Sequence, residues 1–361
     1  MGRFKYLLLS MLCLFLITQS CIHGDLDDCP PMVTFAVAFE YTNHTGTKDR
    51  FYDDVKRIDL YVFDENGLVY TIETERSPFD TNFTIPLENI PMGNYDIIAW
   101  GNIMDNGAFD FPMKIEKGMS FNETRLYLQR EANNLSDENL EKLFFGILRD
   151  VEIPLYVSRT DTMPLINNTN NVRVVLHWDH TGEVEDTSGI IDYDLVHVGL
   201  SASNAEYGFN NNFTSADNVV YRQWAYYSSD SILNADNREW LKMYYFPDGV
   251  DNVTASTVYD FSILRMALGS PIYLTVEREG FNMPENTNLL FGQQIDLMQT
   301  FTTYFDNKGV SALERQNMFD KNEYYRIDIY LIYNRELKTY VTGEINMKPW
   351  NKVDHGEVPM N

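Results

Sequence analysis

The sequence predicts a mainly β protein built as two β-sandwiches in tandem. Three observations carry that expectation. Short runs rich in β-branched and aromatic residues recur along the chain with period-two alternation, separated by turn residues. Strands do not alternate with long helical stretches, which argues against βαβ units. The chain has 361 residues, and the 341 that remain after residues 1–20 are set aside suit two domains of ~100–200 residues each.

The elements follow in order. Residues 33–41 mix Val33, Phe35, Val37 and Phe39 with small residues and form a strand. Residues 57–64 alternate, with Ile58, Leu60 and Val62 on one face. Asn66-Gly67 then supplies positive φ at low cost, so 57–64 and 68–72 form a hairpin. Strands follow over 81–87 and 95–100, the second entered through the turn Pro91-Met92-Gly93-Asn94. Residues 136–145 have Ser136 as a cap, acids in the first turn and apolar residues at helical spacing, which predicts a short helix. Residues 151–157 return to strand. The polar run 167–171 is turn-prone and marks the domain boundary. The second half has strands over 172–178, 192–203, 219–227, 258–264, 272–278, 324–333 and 340–347. In 324–333, Tyr325, Ile327, Ile329 and Leu331 share a face.

The N-terminus points to a membrane. Arg3 and Lys5 precede an apolar run over residues 6–17, then Thr18-Gln19-Ser20 and Cys21. The apolar run falls short of the ~20 residues that span a bilayer. A plain secretory signal needs no thiol at its end. Cys21 lies where a bacterial lipoprotein is cut and acylated, although Thr18 and Gln19 replace the more usual apolar and small residues. Each buried CH₂ contributes roughly 0.8 kcal/mol, so several acyl chains such as palmitate hold a protein on a bilayer almost permanently. The expected organisation is a signal peptide over 1–20, an acidic tether over 21–31, and sandwiches over 32–168 and 169–361. The formal charge is −25, and it becomes −27 when Arg3 and Lys5 leave with the signal. That charge repels nucleic acid and anionic lipid. Of three cysteines, Cys13 leaves with the signal and Cys21 is acylated. Cys29 remains alone, so no intramolecular disulfide framework forms.

Little else carries chemistry. His177 and His180 are three apart at a strand end, where such positions face opposite sides, so no metal site is expected. The acidic groups Asp25-Asp27-Asp28, Asp53-Asp54 and Asp248-Asp251 lack a calcium-loop pattern and read as solvated surface. No zinc-protease motif, phosphate loop or serine elbow is present. No catalytic residue, cofactor or metal ligand is therefore assigned. The aromatic runs 224–227 and 240–246 suit core packing, with sugar stacking as the alternative. Trp350 reads as a plug for the second core. Asn-x-Ser/Thr triplets, Asn82, Asn122 and Asn212 among them, are compositional behind a bacterial lipidation signal. Asp161-Thr162-Met163 and Asp230-Ser231-Ile232 resemble bacterial O-glycosylation sites.

Several blocks together resemble one family. They are Cys21, the stretch Asp27-Asp28-Cys29-Pro30, residues 58–67, residues 93–102 and residues 345–350. The chain is similar to the FimB family of fimbrial anchor lipoproteins of Bacteroidales. The resemblance implies that both sandwiches are transthyretin-like. It also implies lipid attachment to the outer membrane through Cys21, with exposure at the cell surface. The implied role is a non-enzymatic minor subunit that tethers a fimbrial shaft subunit and limits shaft length. The alternative is a surface glycan-binding lipoprotein of a polysaccharide-uptake system, suggested by the aromatic-rich second half.

Overall fold

The computed structural model describes residues 35–42, 48–88, 90–105, 107–111, 114–130, 135–136, 140–153, 158–179, 196–213, 218–224, 255–278, 294–334 and 339–349. The first half contains β1 (Phe35–Glu40), the short helix α1 (Phe51–Asp54), β2 (Arg57–Phe63), β3 (Val69–Arg76), β4 (Thr84–Leu87) and β5 (Gly93–Gly101). It continues with β6 (Phe109–Asp110), β7 (Arg125–Leu128), β8 (Leu135–Ser136), β9 (Phe144–Ile153) and β10 (Arg159–Asn167). The second half contains β11 (Thr169–Asp179), β12 (Val196–Ala202), β13 (Glu206–Gly208), β14 (Val219–Trp224), β15 (Ala255–Leu264), β16 (Ile272–Arg278) and β17 (Gln294–Asp296). Helices α2 (Leu297–Asn307) and α3 (Ala312–Lys321) precede β18 (Tyr324–Asn334) and β19 (Thr339–Pro349). The expectation of a mainly β protein holds.

Seven strands join in the order β3-β2-β5-β9-β10-β1-β4. This sheet folds over one core. Phe35, Val37, Phe39, Ile85, Leu87 and Met163 meet Ile58, Leu60, Val62, Ile97, Ala99 and Phe144 there. Strand β10 makes the corner. Residues 159–164 run parallel to β1, and residues 165–167 pair antiparallel with β9. Pro164 sits at the hand-over, where a missing N–H is tolerated. The crossing also needs Gly146. A Cβ there would lie 2.6 Å from Leu165 Cδ2 and 2.7 Å from Met163 Sδ. The hairpin expected at Asn66-Gly67 forms between β2 and β3, with Gly67 at φ +71°.

The other face of β2, β5 and β9 is buried too. Tyr61, Phe63, Ile98, Trp100 and Phe145 belong to a second core that continues through the rest of the molecule. Its walls are a four-stranded sheet, β15-β11-β18-β19, and a five-stranded sheet, β17-β16-β12-β14-β8. A three-stranded sheet, β13-β7-β6, closes the side towards the first half. Two of these sheets take strands from both halves. Phe209, just past β13, packs edge-on against Tyr61 with ring centroids 4.7 Å apart. The halves therefore share a core, a feature that two sandwiches in tandem do not by themselves predict.

The helix expected over 136–145 does not form at its described residues. Ser136 is in β8, and Phe144 and Phe145 open β9. The physical reason lies in burial: Phe144 enters the first core and Phe145 the second. Adjacent residues facing opposite cores need a strand. Conversely, α2 and α3 were not expected. Leu297, Phe301 and Phe305 line one buried face of α2. Ser311 and Glu314 form a capping box at the start of α3, a signal that residue pattern alone displays.

The polar run 167–171 spans the passage from β10 to β11, and Asn167, Asn168, Thr169 and Asn170 are all buried. Most buried amides are paired, and in this run Asn167 Nδ2 is the exception. Asn168 and Asn211 exchange side-chain hydrogen bonds of 2.6 and 3.1 Å. Asn168 N–H donates to the Leu143 carbonyl at 2.6 Å, and its own carbonyl accepts from Arg265 N–H at 2.8 Å. Asn170 Oδ1 accepts from Met266 N–H at 2.9 Å, while Nδ2 donates to the Asn322 carbonyl at 3.0 Å. Asn170→Ala strands these buried groups, so it should lower stability by about 2–4 kcal/mol. Urea unfolding should show a lower midpoint with an unchanged slope. Leu313→Ser, at a position 75% exposed, should stay within about 0.5 kcal/mol of the parent protein.

Candidate functional site

Cys21 and the tether lie outside the described residues. The chain is first seen at β1, and its placement bears on any pull from the N-terminus. Strand β1 lies inside its sheet, with six parallel pairs to β10 and four antiparallel pairs to β4. Alternation sends Phe35, Val37 and Phe39 into the core. Phe39 stacks on Phe51 at 5.4 Å and on Phe83 at 6.0 Å.

Tyr41 closes the strand. Its N–H donates to Asp49 Oδ1 at 3.0 Å, and its carbonyl accepts from Arg50 N–H at 2.8 Å. Its ring meets Phe144 edge-on at 4.8 Å. Its hydroxyl donates to Glu323, in the second half, 282 residues away. Burial, then the charge and hydrogen bond of Glu323, push the phenol far above its ordinary range, so it remains a donor. Glu323 is 4% exposed. Lys142 Nζ lies 3.2 Å from both its oxygens and 3.0 Å from Asp54, which also takes Arg50 at 3.1 Å. Two carboxylates and two cations thus balance. Removing one member would leave a buried charge unpaired.

Sheet edges are the other surface suited to assembly. An edge strand offers free N–H and C=O groups to an added strand. Strand β3 is covered at its start, where Val69 N–H bonds Met119 and Gly118 N–H bonds Val69. Its far end carries exposed Thr74, Glu75 and Arg76, which discourage pairing. Strand β4 is four residues long and holds exposed Pro86. Eleven-residue β19 ends the four-stranded sheet.

A cleft of about 290 Å³ lies on the Tyr61 face of β2, beside the second core, lined by Arg57, Asp59, Tyr61, Asp105, Phe111 and Gln129 among others. Arg57 spans two of its three acids, at 2.9 Å from Asp59 and 2.9 Å from Asp105. Thr74 adds a 2.6 Å bond to Asp59, and Arg76 a 2.7 Å bond to Asp105. Hydrogen bonds from Arg76 and Arg57 hold the Asp105 carboxyl below the usual carboxylate range. This arrangement stabilises paired charges and leaves Asp105 unsuited to donate a proton at neutral pH.

The remaining sequence candidates do not converge. His180 lies outside the described residues, as do Asp25, Asp27, Asp28, Asp248, Asp251, Cys29, Ser231, Trp350 and residues 225–227 and 240–246. Asp53 is exposed and paired with Lys48 at 2.9 Å. Thr162 is exposed on the outer face of β10. Asn82, Asn122 and Asn212 are exposed. Among the described residues, no group of three or more His, Cys, Asp or Glu could hold a metal ion. Among them, no helix is long and apolar enough to cross a membrane. His177 is buried instead in a hydrogen-bonded set. Its Nε2 lies 2.7 Å from Asp328 and its Nδ1 3.2 Å from Ser256, and its ring stacks on Tyr330 at 4.5 Å. Arg326 bonds the same carboxylate at 2.6 Å.

A family model described as fimbrillin-A associated anchor proteins Mfa1 and Mfa2 matches residues 26–356. Among solved structures, the chain is similar to the fimbrial anchor protein Mfa2 from Porphyromonas gingivalis. The identity is 17% and the TM-score 0.62, covering 88% of this chain and 97% of that one. It is also similar to a candidate adhesin from Bacteroides thetaiotaomicron, at 19% identity and TM-score 0.64 over 90% and 98% of the two chains. A candidate polysaccharide-binding protein from the same organism shares 21% identity at TM-score 0.62, over 90% and 100%. At these identities the likenesses establish a shared fold. No curated protein matches the sequence.

The His177 set generates a pH expectation. Burial pushes the imidazole down, and this outweighs the opposing bond and charge of Asp328. The folded-state value lies below the unfolded one, so the unfolded chain binds the proton first. The resulting stability is present above about pH 6.5 and is lost as pH falls towards the folded value, at no more than about 1.4 kcal/mol per unit. Burial pushes Asp328 up, but bonds from His177 and Arg326 outweigh it and hold it below its ordinary value, so its contribution is lost at still lower pH. Urea midpoints from pH 7 to 5 should fall more steeply for the parent protein than for His177→Gln.

Proposed function

The chain belongs to the family of fimbrillin-A associated anchor proteins, and we propose that it is the membrane-held base of a fimbria. A fimbria-associated place in the cell envelope follows from the family. The reading goes further: acylated Cys21 fixes the chain to the outer membrane, and the folded body tethers a shaft subunit and limits shaft length. The family match over residues 26–356 is the observation that supports it.

The physics of the role needs no catalytic step. Acyl chains resist extraction from lipid in proportion to their buried length. A folded body then converts that hold into a protein contact. Main-chain pairing along a sheet edge provides affinity, and pockets for alternate side chains provide selectivity. Of the described edges, β3 and β4 are guarded by charge, proline and short length. Among the described residues β19 is the longest edge strand, and we assign the shaft contact to that side. A subunit fixed in the membrane ends growth at the base because it cannot move outward with the polymer.

Cys21→Ala, expressed in the native cell, should release the protein from the membrane fraction and shed filaments that are longer than normal. Electron microscopy and fractionation read both effects. Filaments that stay attached at normal length would refute the tether.

A further inference from the structure

Any tether pull enters the described structure at Phe35 and runs along β1. A strand at a sheet edge has one ladder and can be peeled, one bond at a time. Strand β1 has a ladder on each side, to β10 and to β4. It is also parallel to β10, with Phe35 opposite Arg159 and Glu40 opposite Pro164. Its N-terminal end therefore lies beside the start of β10. The chain leaves towards the second half from the far end of β10, at Asn167. A pull on residue 35 and an opposing pull beyond residue 167 slide the two strands along each other. Parallel ladder bonds are evenly spaced, so sliding strains them together.

Tyr41 adds a second path for the load. Its hydroxyl grips Glu323, which directly precedes β18, and Lys142 and Asp54 hold that grip. Force arriving along β1 thus reaches the second half through Tyr41 as well as through β10. Phe35, Val37 and Phe39 must also leave the first core before the strand can slide free.

We propose that β1 is a load-bearing clamp. Tension on the N-terminus is resisted by simultaneous shear of both its ladders, and the Tyr41–Glu323 contact shares the load with the second half. The clamp rests on the tether reading only for the origin of the force. Its mechanics are properties of the folded chain.

Single-molecule pulling tests it without a membrane. The mature chain, with Cys21→Ser and Cys29→Ser, is held by an enzymatic handle at its N-terminus. The second handle is a bio-orthogonal side chain at exposed position 313. Ala38 and Thr162 are directly opposite in the ladder and both lie on its outer face. Ala38→Cys with Thr162→Cys can therefore be locked by oxidation and freed by reduction in one preparation. In the reduced protein, rupture should release a length step matching the chain from the handle to about α1. Oxidation should abolish that step and raise the rupture force. Tyr41→Phe, which keeps the ring in place, should shift the same step to lower force. The clamp is overturned if β1 leaves at the lowest force in the trace, or if both oxidation and Tyr41→Phe leave step and force unchanged. Loss of filament attachment is not measured here, so the pulling result stands or falls apart from the fate of Cys21.

Discussion

Backbone amides taken out of water must find partners, and at residues 167–171 that requirement organises the molecule. The chain crosses from one half to the other through a buried passage. Its polar groups reach Leu143, Asn211, Arg265, Met266 and Asn322. These partners come from four separate stretches of chain. Satisfying the passage therefore positions β9, β11, the segment after β13, the end of β15 and the start of β18 at once. The shared core could not close around Tyr61, Trp100 and Phe209 unless these elements met in this arrangement.

Much of the strand framework was legible. Alternation in 57–63 and 324–331 marks real strands, because one face of each meets an apolar core. Asn66-Gly67 marks a real hairpin, because positive φ costs glycine little. The legible features share a local cause. Strand β10 was not expected, since Pro164 and its exposed charges obscure the alternation of Met163, Leu165 and Asn167. The segment 136–145 misled because two adjacent aromatic residues face two different cores, which periodicity along one segment cannot reveal. The asparagine run looked like a linker because its composition is polar. Only the partners from distant parts of the chain make its burial tolerable.

The fimbrial resemblance rested on scattered blocks in a consistent order, and the family match bears it out over nearly the whole chain. The features that bear on mechanical function were not legible in the same way. The expectation of acylation at Cys21 rests on a local pattern of residues. The contact of Tyr41 with Glu323 joins residues 282 positions apart, with Lys142 between them, and no spacing rule announces it. Similarly, Arg57, Arg76, Asp59 and Asp105 look like ordinary surface charges until the fold joins them in one chain of ion pairs.

A core fed by both halves also constrains how the polypeptide reaches its shape. Strand β8 pairs with β14, and β7 with β13, so early segments wait for late ones. Such distant pairings are slow to form. Neither half can complete its burial alone, and an unfinished one exposes Trp100 or Tyr207 to water. Compaction of this chain therefore waits for its last strands, and the two halves reach their buried state together.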